Sequence, residues 1–166
     1  MNKYYNNGVS VNFSHTNGDQ YAVWLYYLSR EMFINKLPKA WCEKVYLLNK
    51  ALHGCDIFYE VMLPSVFVLV HPLGTVLGRA KYDDYLIVYQ KCSIGSNHNI
   101  YPKLGQYLTL RPGAGIYGDS TVENNVSVAA ESYIIDKDIQ TNKCYIGTPN
   151  AFVLKPQAEV NKIWRI

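Results

Sequence analysis

LGQYLTLRPGAGIYGDSTVENNVSVAAESYI, residues 104–134, decides the fold. Leu104, Leu110, Ile116, Val122, Val128 and Ile134 recur at every sixth position without a slip. Four places after each of the first five stand Leu108, Ala114, Ser120, Val126 and Ser132, which are mostly small. Six is neither the helical period nor the two-residue strand period. It is the period of a hexapeptide solenoid, in which three repeats close one triangular coil. Each coil buries its aliphatic positions and pairs its strands with the coils above and below, so the repeats are stable only when stacked. The fold class expected is mainly β, a left-handed parallel β-helix of about four to five coils.

The same step extends upstream through Ile57, Leu63 and Leu69, with Thr75 in the next slot. It resumes at Tyr82, Val88 and Ile94 after one extra residue. Ile94 to Leu104 spans ten residues, so SNHNIYPK holds a four-residue insertion that must leave the coil as a loop. The run ends near Ile139, and GTPNAFVLKP reads as an extended tail.

Before Gly54 the pattern is helical. Tyr21, Trp24, Leu25, Leu28 and Met32 follow Asp19, a candidate N-cap; Trp41, Val45, Leu48 and Leu52 follow Pro38. Both stripes read as core-facing sides of a short helical hairpin. Residues 1–18 are Asn- and Gly-rich and read as an arm or loop. The expected organisation is an arm and hairpin over 1–54, a β-helix over 55–140 and a tail over 141–166.

Hydrophobic residues make up 49% of the 166 positions and charged residues 17%, which suits one domain with a real core and argues against disorder. A net charge of +3 with no Lys/Arg run argues against a nucleic-acid partner. The stretch from Val61 to Val70 is broken by Pro64 and too short to span a bilayer. Cys42, Cys55, Cys92 and Cys144 form no C-x-x-C pair and read as reduced thiols of a cytoplasmic protein.

The segments CDIFYEVMLPSVFVLVHPLGTVLG, YQKCSIG, YPKLG, RPGAGIYG and GTPNA resemble, in that order, the serine acetyltransferase branch of the hexapeptide acyltransferases and its sugar-acetylating relatives. The resemblance covers the last two-thirds of the chain and a shortened helical domain before it. It implies acetyl-CoA as co-substrate and no metal. It implies His71 as general base and Asp56 as the carboxylate that orients it. Their fifteen-residue spacing is a little under one coil, so Asp56 is expected near His71 on the neighbouring coil. Gly95, Ser96, Gly113, Ala114, Ala129, Ala130, Thr148 and Pro149 match positions that line coenzyme A in that family, and Lys155, with Lys162, is a candidate for its phosphates. The resemblance also implies a homotrimer, possibly doubled to a hexamer, with the active site between subunits.

One departure concerns the acceptor. Serine acetyltransferases carry Arg-His just before the Pro-Lys of the loop, where this chain has Ile100 and Tyr101. An aliphatic side chain cannot pair with an amino-acid carboxylate. Tyr101 with Asn97 and Asn99 suits a polyhydroxylated acceptor, so the expected reaction is O-acetylation of a sugar or sugar-derived hydroxyl. Serine O-acetylation and N-acetylation of an amino sugar nucleotide are the alternatives. A non-catalytic β-helix subunit is a reading from another class, disfavoured because His71 and Asp56 are both present. A metal enzyme on this scaffold needs about three histidine ligands, and only His71 and His98 of the four lie in the repeats.

Overall fold

The computed structural model describes residues 13–164. The arm expected over residues 1–18 therefore lies mostly outside the described residues. Three parallel faces build a solenoid of about four turns. The first face stacks Phe67–Leu69, Leu86–Val88, Thr109–Leu110, Ser127–Val128 and Lys143–Thr148. The second stacks Val76–Leu77, Ser93–Gly95, Gly115–Tyr117 and Tyr133–Ile135. The third stacks Lys81–Tyr82, Lys103–Leu104 and Thr121–Val122.

The six-residue positions become three columns inside the coil. Leu69, Val88, Leu110, Val128 and Tyr145 are in register on the first face. Leu77, Ile94, Ile116 and Ile134 align on the second. Tyr82, Leu104, Val122 and Ile139 align on the third. All but Tyr82, which is partly buried, are buried members of one core cluster. Burying such aliphatics is worth roughly 1.5–3 kcal/mol each, the dominant favourable contribution to the fold.

Two sequence expectations are corrected here. The slot assigned to Thr75 belongs to Leu77, which pairs with Ile94. Eight residues separate Leu69 from Leu77, against six from Val88 to Ile94, so the first corner carries two extra residues. The tail expected from residue 141 begins instead as solenoid. Tyr145 continues the period from Ile139, and its strand pairs in parallel with Ser127–Val128. Ala151–Pro156 then turns back antiparallel against it. The chain from Gln157 returns across the outside of the first face. Gln157 bonds Asn125 and Ser127, and Ile163 and Trp164 cover Val68, Val70 and Ile87.

Helix α1 spans Gly18–Ile34 and helix α2 spans Lys39–His53. Asn17, not Asp19, caps α1, accepting from the Gln20 N–H at 3.2 Å. Gly54, in the left-handed region at φ 61°, ends α2. The hairpin docks on the first coil through polar clamps. Tyr26 Oη donates to the Val61 carbonyl at 2.9 Å and accepts from the Leu63 N–H at 3.0 Å. Arg30 donates to the carbonyls of Tyr59 and Glu60.

The apolar stripe of α2 is not core-facing. Cys42 and Asn49 are its buried residues, while Trp41, Leu48 and Leu52 are exposed, as is Trp24 of α1. Polar groups set the rotation of α2. Asn49 donates to the Ala22 carbonyl at 2.9 Å, and Tyr46 and Lys50 reach Asp56. Turning the stripe inward would break all three contacts and cost the buried Asn49 amide its acceptor.

Replacing Ile116, fully buried between Ile94 and Ile134, tests the stacked core. Ile116→Ala is expected to lower the unfolding free energy by about 2–5 kcal/mol, measured by denaturant titration with an unchanged slope.

Candidate active site

His71 sits on the first corner, the one with two extra residues. The corners along this edge turn at Gly74, on the same first corner as His71, and at Lys91, Gly113 and Glu131, each at positive φ and each joined to the neighbouring coil by its N–H. His71, at φ 51°, lies outside that ladder. Lys91 and Glu131 share this backbone conformation, so what sets His71 apart is its place outside the ladder. The turn closes tightly, with the Leu73 N–H donating to the His71 carbonyl at 2.7 Å. The two extra residues push the imidazole out of the coil, and its side chain is 78% exposed.

The expected contact between Asp56 and His71 is not formed. Asp56 Oδ1 accepts from Tyr46 Oη and Oδ2 from Lys50 Nζ, each at 2.6 Å. Burial pushes this carboxyl up, but the hydrogen bonds from Lys50 and Tyr46 and the Lys50 charge outweigh it and hold it below the usual carboxylate range. The carboxylate beside His71 is Asp19, from the first turn of α1. Its Oδ1 accepts from the His71 backbone N–H at 3.1 Å, and its Oδ2 lies 4.0 Å from Nδ1. Sequence reasoning assigned Asp19 to the helix cap. The available signal was Asn17, an equally good cap two residues earlier.

The candidate cofactor residues divide between two edges. Gly113, Ala114, Ala129 and Ala130 follow the first face, as His71 does, and Thr148 and Pro149 follow its last parallel strand. Ala114 is fully buried in the core, so its methyl group is a packing element and cannot line a groove. The Glu131 carboxylate lies over Gly113. Arg111, which the sequence reading passed over, stands on this edge and stacks on the Tyr89 ring at 5.4 Å. Gly95 and Ser96 follow the second face and lie at its far end. Lys155 is exposed on the antiparallel strand, and Lys162 is paired with Glu159 at 3.3 Å.

Asn97, Asn99 and Tyr101 belong to the loop that leaves that far end. Asn97 and Ile100 bridge their backbones, and Asn97 Nδ2 donates to Asp136 Oδ2 at 2.5 Å. His98 and Asn99 take positive φ and are exposed, as is Tyr101. Strands of the second face run from the His71 edge to the loop edge. The six residues from Lys91 to Asn97 cover up to ~20 Å when extended. A single chain therefore does not gather His71 and the loop side chains into one pocket. Burial pushes the thiols of Cys55 and Cys92 up to about 11, which leaves them protonated and poor nucleophiles at neutral pH. Among the described residues no group of His, Cys, Asp and Glu could hold a metal ion, and no helix is long and apolar enough to cross a membrane.

A serine acetyltransferase of Staphylococcus epidermidis is 20% identical over 147 residues, covering 86% of this chain and 68% of the relative. One of Synechococcus elongatus is 23% identical over 121 residues, covering 70% of this chain and 49% of the relative. Serine acetyltransferase of Brucella abortus, solved in complex with coenzyme A, superposes with a TM-score of 0.76 at 19% identity over 87% of this chain. In sequence and fold the chain is similar to serine acetyltransferases. The enzyme of Neisseria gonorrhoeae superposes with a TM-score of 0.72, also at 19% identity and over 87% of this chain. The chain spans 58% and 56% of the lengths of those two solved serine acetyltransferases. No protein-family model matches it.

The Asp56 carboxyl predicts a stability signature. Its folded-state pKa is depressed, so its contribution is present above the ordinary carboxylate range and is lost as pH falls through the folded value. Asp56→Asn is expected to melt about 2–5 °C below wild type at pH 7. The two melting curves should converge below ~pH 3, as followed by differential scanning calorimetry.

Proposed function

We propose that this protein is an acetyl-CoA-dependent O-acetyltransferase with His71 as its general base. The observation that carries the reading is the His71 turn. Two extra residues at the first corner hold an exposed imidazole outside the ladder of corners and beside a carboxylate. In this reading His71 takes the proton from the acceptor hydroxyl as its oxygen attacks the thioester carbonyl. The tetrahedral intermediate collapses, the C–S bond breaks, and the CoA thiolate takes up the proton from the imidazolium. The thiolate is a good leaving group, so no covalent enzyme intermediate is needed.

The cofactor in this reading lies along the His71 edge, past Arg111, Ala129 and Ala130, with Thr148 and Pro149 below. The loop edge, with Gly95, Ser96, Asn97, Asn99 and Tyr101, faces it from a neighbouring copy of the chain, as a homotrimer would arrange it. The acceptor favoured by the relatives is L-serine, since those named above are serine acetyltransferases. Ile100 and Tyr101 favour a second reading, a sugar hydroxyl, because they offer no cation for a carboxylate.

Release of CoA from acetyl-CoA, followed with a thiol reagent, tests both. The acceptor panel is L-serine, simple sugars and nucleotide sugars. Turnover is expected to fall by about 10²–10⁴-fold in His71→Ala. It should fall comparably in His71→Asn, which keeps a side chain suited to the turn. Undiminished turnover in both variants removes His71 as the base. Turnover with sugars and none with serine establishes the second acceptor reading.

A further inference from the structure

We propose that Asp19, and not Asp56, is the residue that positions His71; the proposal rests on the reading of His71 as the base. Asp19 reaches the histidine from a different part of the chain, 52 residues away, and accepts its backbone N–H at 3.1 Å. That bond fixes the one backbone group of the turn that the solenoid ladder leaves to a side chain. The neighbouring corners at Lys91, Gly113 and Glu131 give their N–H groups to carbonyls of the adjacent coil. At the first corner Gly74 takes that ladder position, giving its N–H to the Gly54 carbonyl, and the His71 N–H, on the added part of the turn, goes to Asp19 instead. A charged acceptor makes the stronger kind of hydrogen bond, and it holds a conformation that would otherwise relax.

The surroundings leave Asp19 free for this role. Asn17 caps α1, and the Asp19 side chain is 23% exposed against 78% for His71. The nearby imidazole of His53 does not compete. Its Nδ1 lies 2.8 Å from Asn49 Oδ1, and burial lowers its pKa, which keeps it neutral. Lys50, the nearest cation of α2 to the Asp56 strand, is committed to Asp56 at 2.6 Å. Tyr26 and Arg30, farther along α1, tie the helix to the first coil. The hairpin thus carries Asp19 to the His71 turn on a rigid element, while Asp56 anchors the other helix.

The test separates an acceptor oxygen from general packing. Asp19→Ala removes the acceptor, and Asp19→Asn keeps an oxygen that can receive the His71 N–H. In Asp19→Ala, kcat is expected to fall by about 10–10²-fold, the scale for a misplaced catalytic group, with the KM for acetyl-CoA unchanged. Asp19→Asn is expected to restore most of it. Amide hydrogen exchange gives a readout that needs no turnover. The His71 amide should lose protection in Asp19→Ala and keep it in Asp19→Asn. Wild-type kcat together with an equally protected His71 amide in Asp19→Ala overturns the proposal, and so do equal losses in the two variants. Full turnover in His71→Asn instead breaks the base reading, and the exchange result alone then decides the clamp.

Discussion

Coil-to-coil backbone pairing is the constraint on which everything else depends. Each strand is only two or three residues long in most of the solenoid, far too short to be stable alone. Its N–H and carbonyl groups are satisfied by the coils on either side, and its one inward aliphatic is buried by the same neighbours. Register is therefore collective. Ile116 is placed by Ile94 and Ile134, and each of these is placed by the next. A corner can depart from the pattern only where some other element supplies the lost partners. Residues are added to the repeat at two places: the His71 turn, and the loop between Ile94 and Leu104.

The first departure is compensated by the helices. α1 delivers Asp19 to the His71 N–H, and α2 closes over Asp56, which bridges to Val76. The hairpin is thus more than a cap on the open end of the solenoid. Its polar clamps, Tyr26, Arg30, Asn49 and Lys50, all reach backbone or carboxylate groups of other segments. Those clamps outrank the apolar stripe of α2 in setting its rotation, because a buried amide without an acceptor costs more than an exposed leucine.

This is also where the sequence was and was not legible. The period from Leu104 to Ile134 specifies the inward columns, because six-residue spacing has a single reading once it is long enough. The two-residue excess at the first corner was hidden by Thr75. Thr75 is itself buried and falls on the six-residue count from Leu69, so the slot seemed filled. Leu77 shows as the true occupant only through its pairing with Ile94. The face of α2 was illegible for a related reason: a periodic stripe identifies a side of a helix and not what that side meets. The candidate base was readable from HPLG and its setting. Its carboxylate was not, since 52 residues of sequence separation carry no local signal.

The two departures from the coil lie at opposite ends of the same face, and that has a chemical consequence. Acetyl transfer brings together a base, a thioester and an acceptor hydroxyl. The His71 edge offers an imidazole, a cation at Arg111 and small residues at Ala129 and Ala130. The loop edge offers Asn99 and Tyr101, exposed and polar, but no group of its own that could serve as an oriented base, since His98 is exposed and has no hydrogen-bonded partner among the described residues. Each edge lacks what the other holds. A flat face of short strands lies between them, carrying Gly95 and Gly115 with the Tyr117 ring folded over both, and it cannot bend to bring its ends together. The proposed trimer would complete such a site by setting one chain's His71 edge against another chain's loop edge. In the proposed trimer, the stiffness that separates these residues within one chain is what would hold them at fixed distance across two.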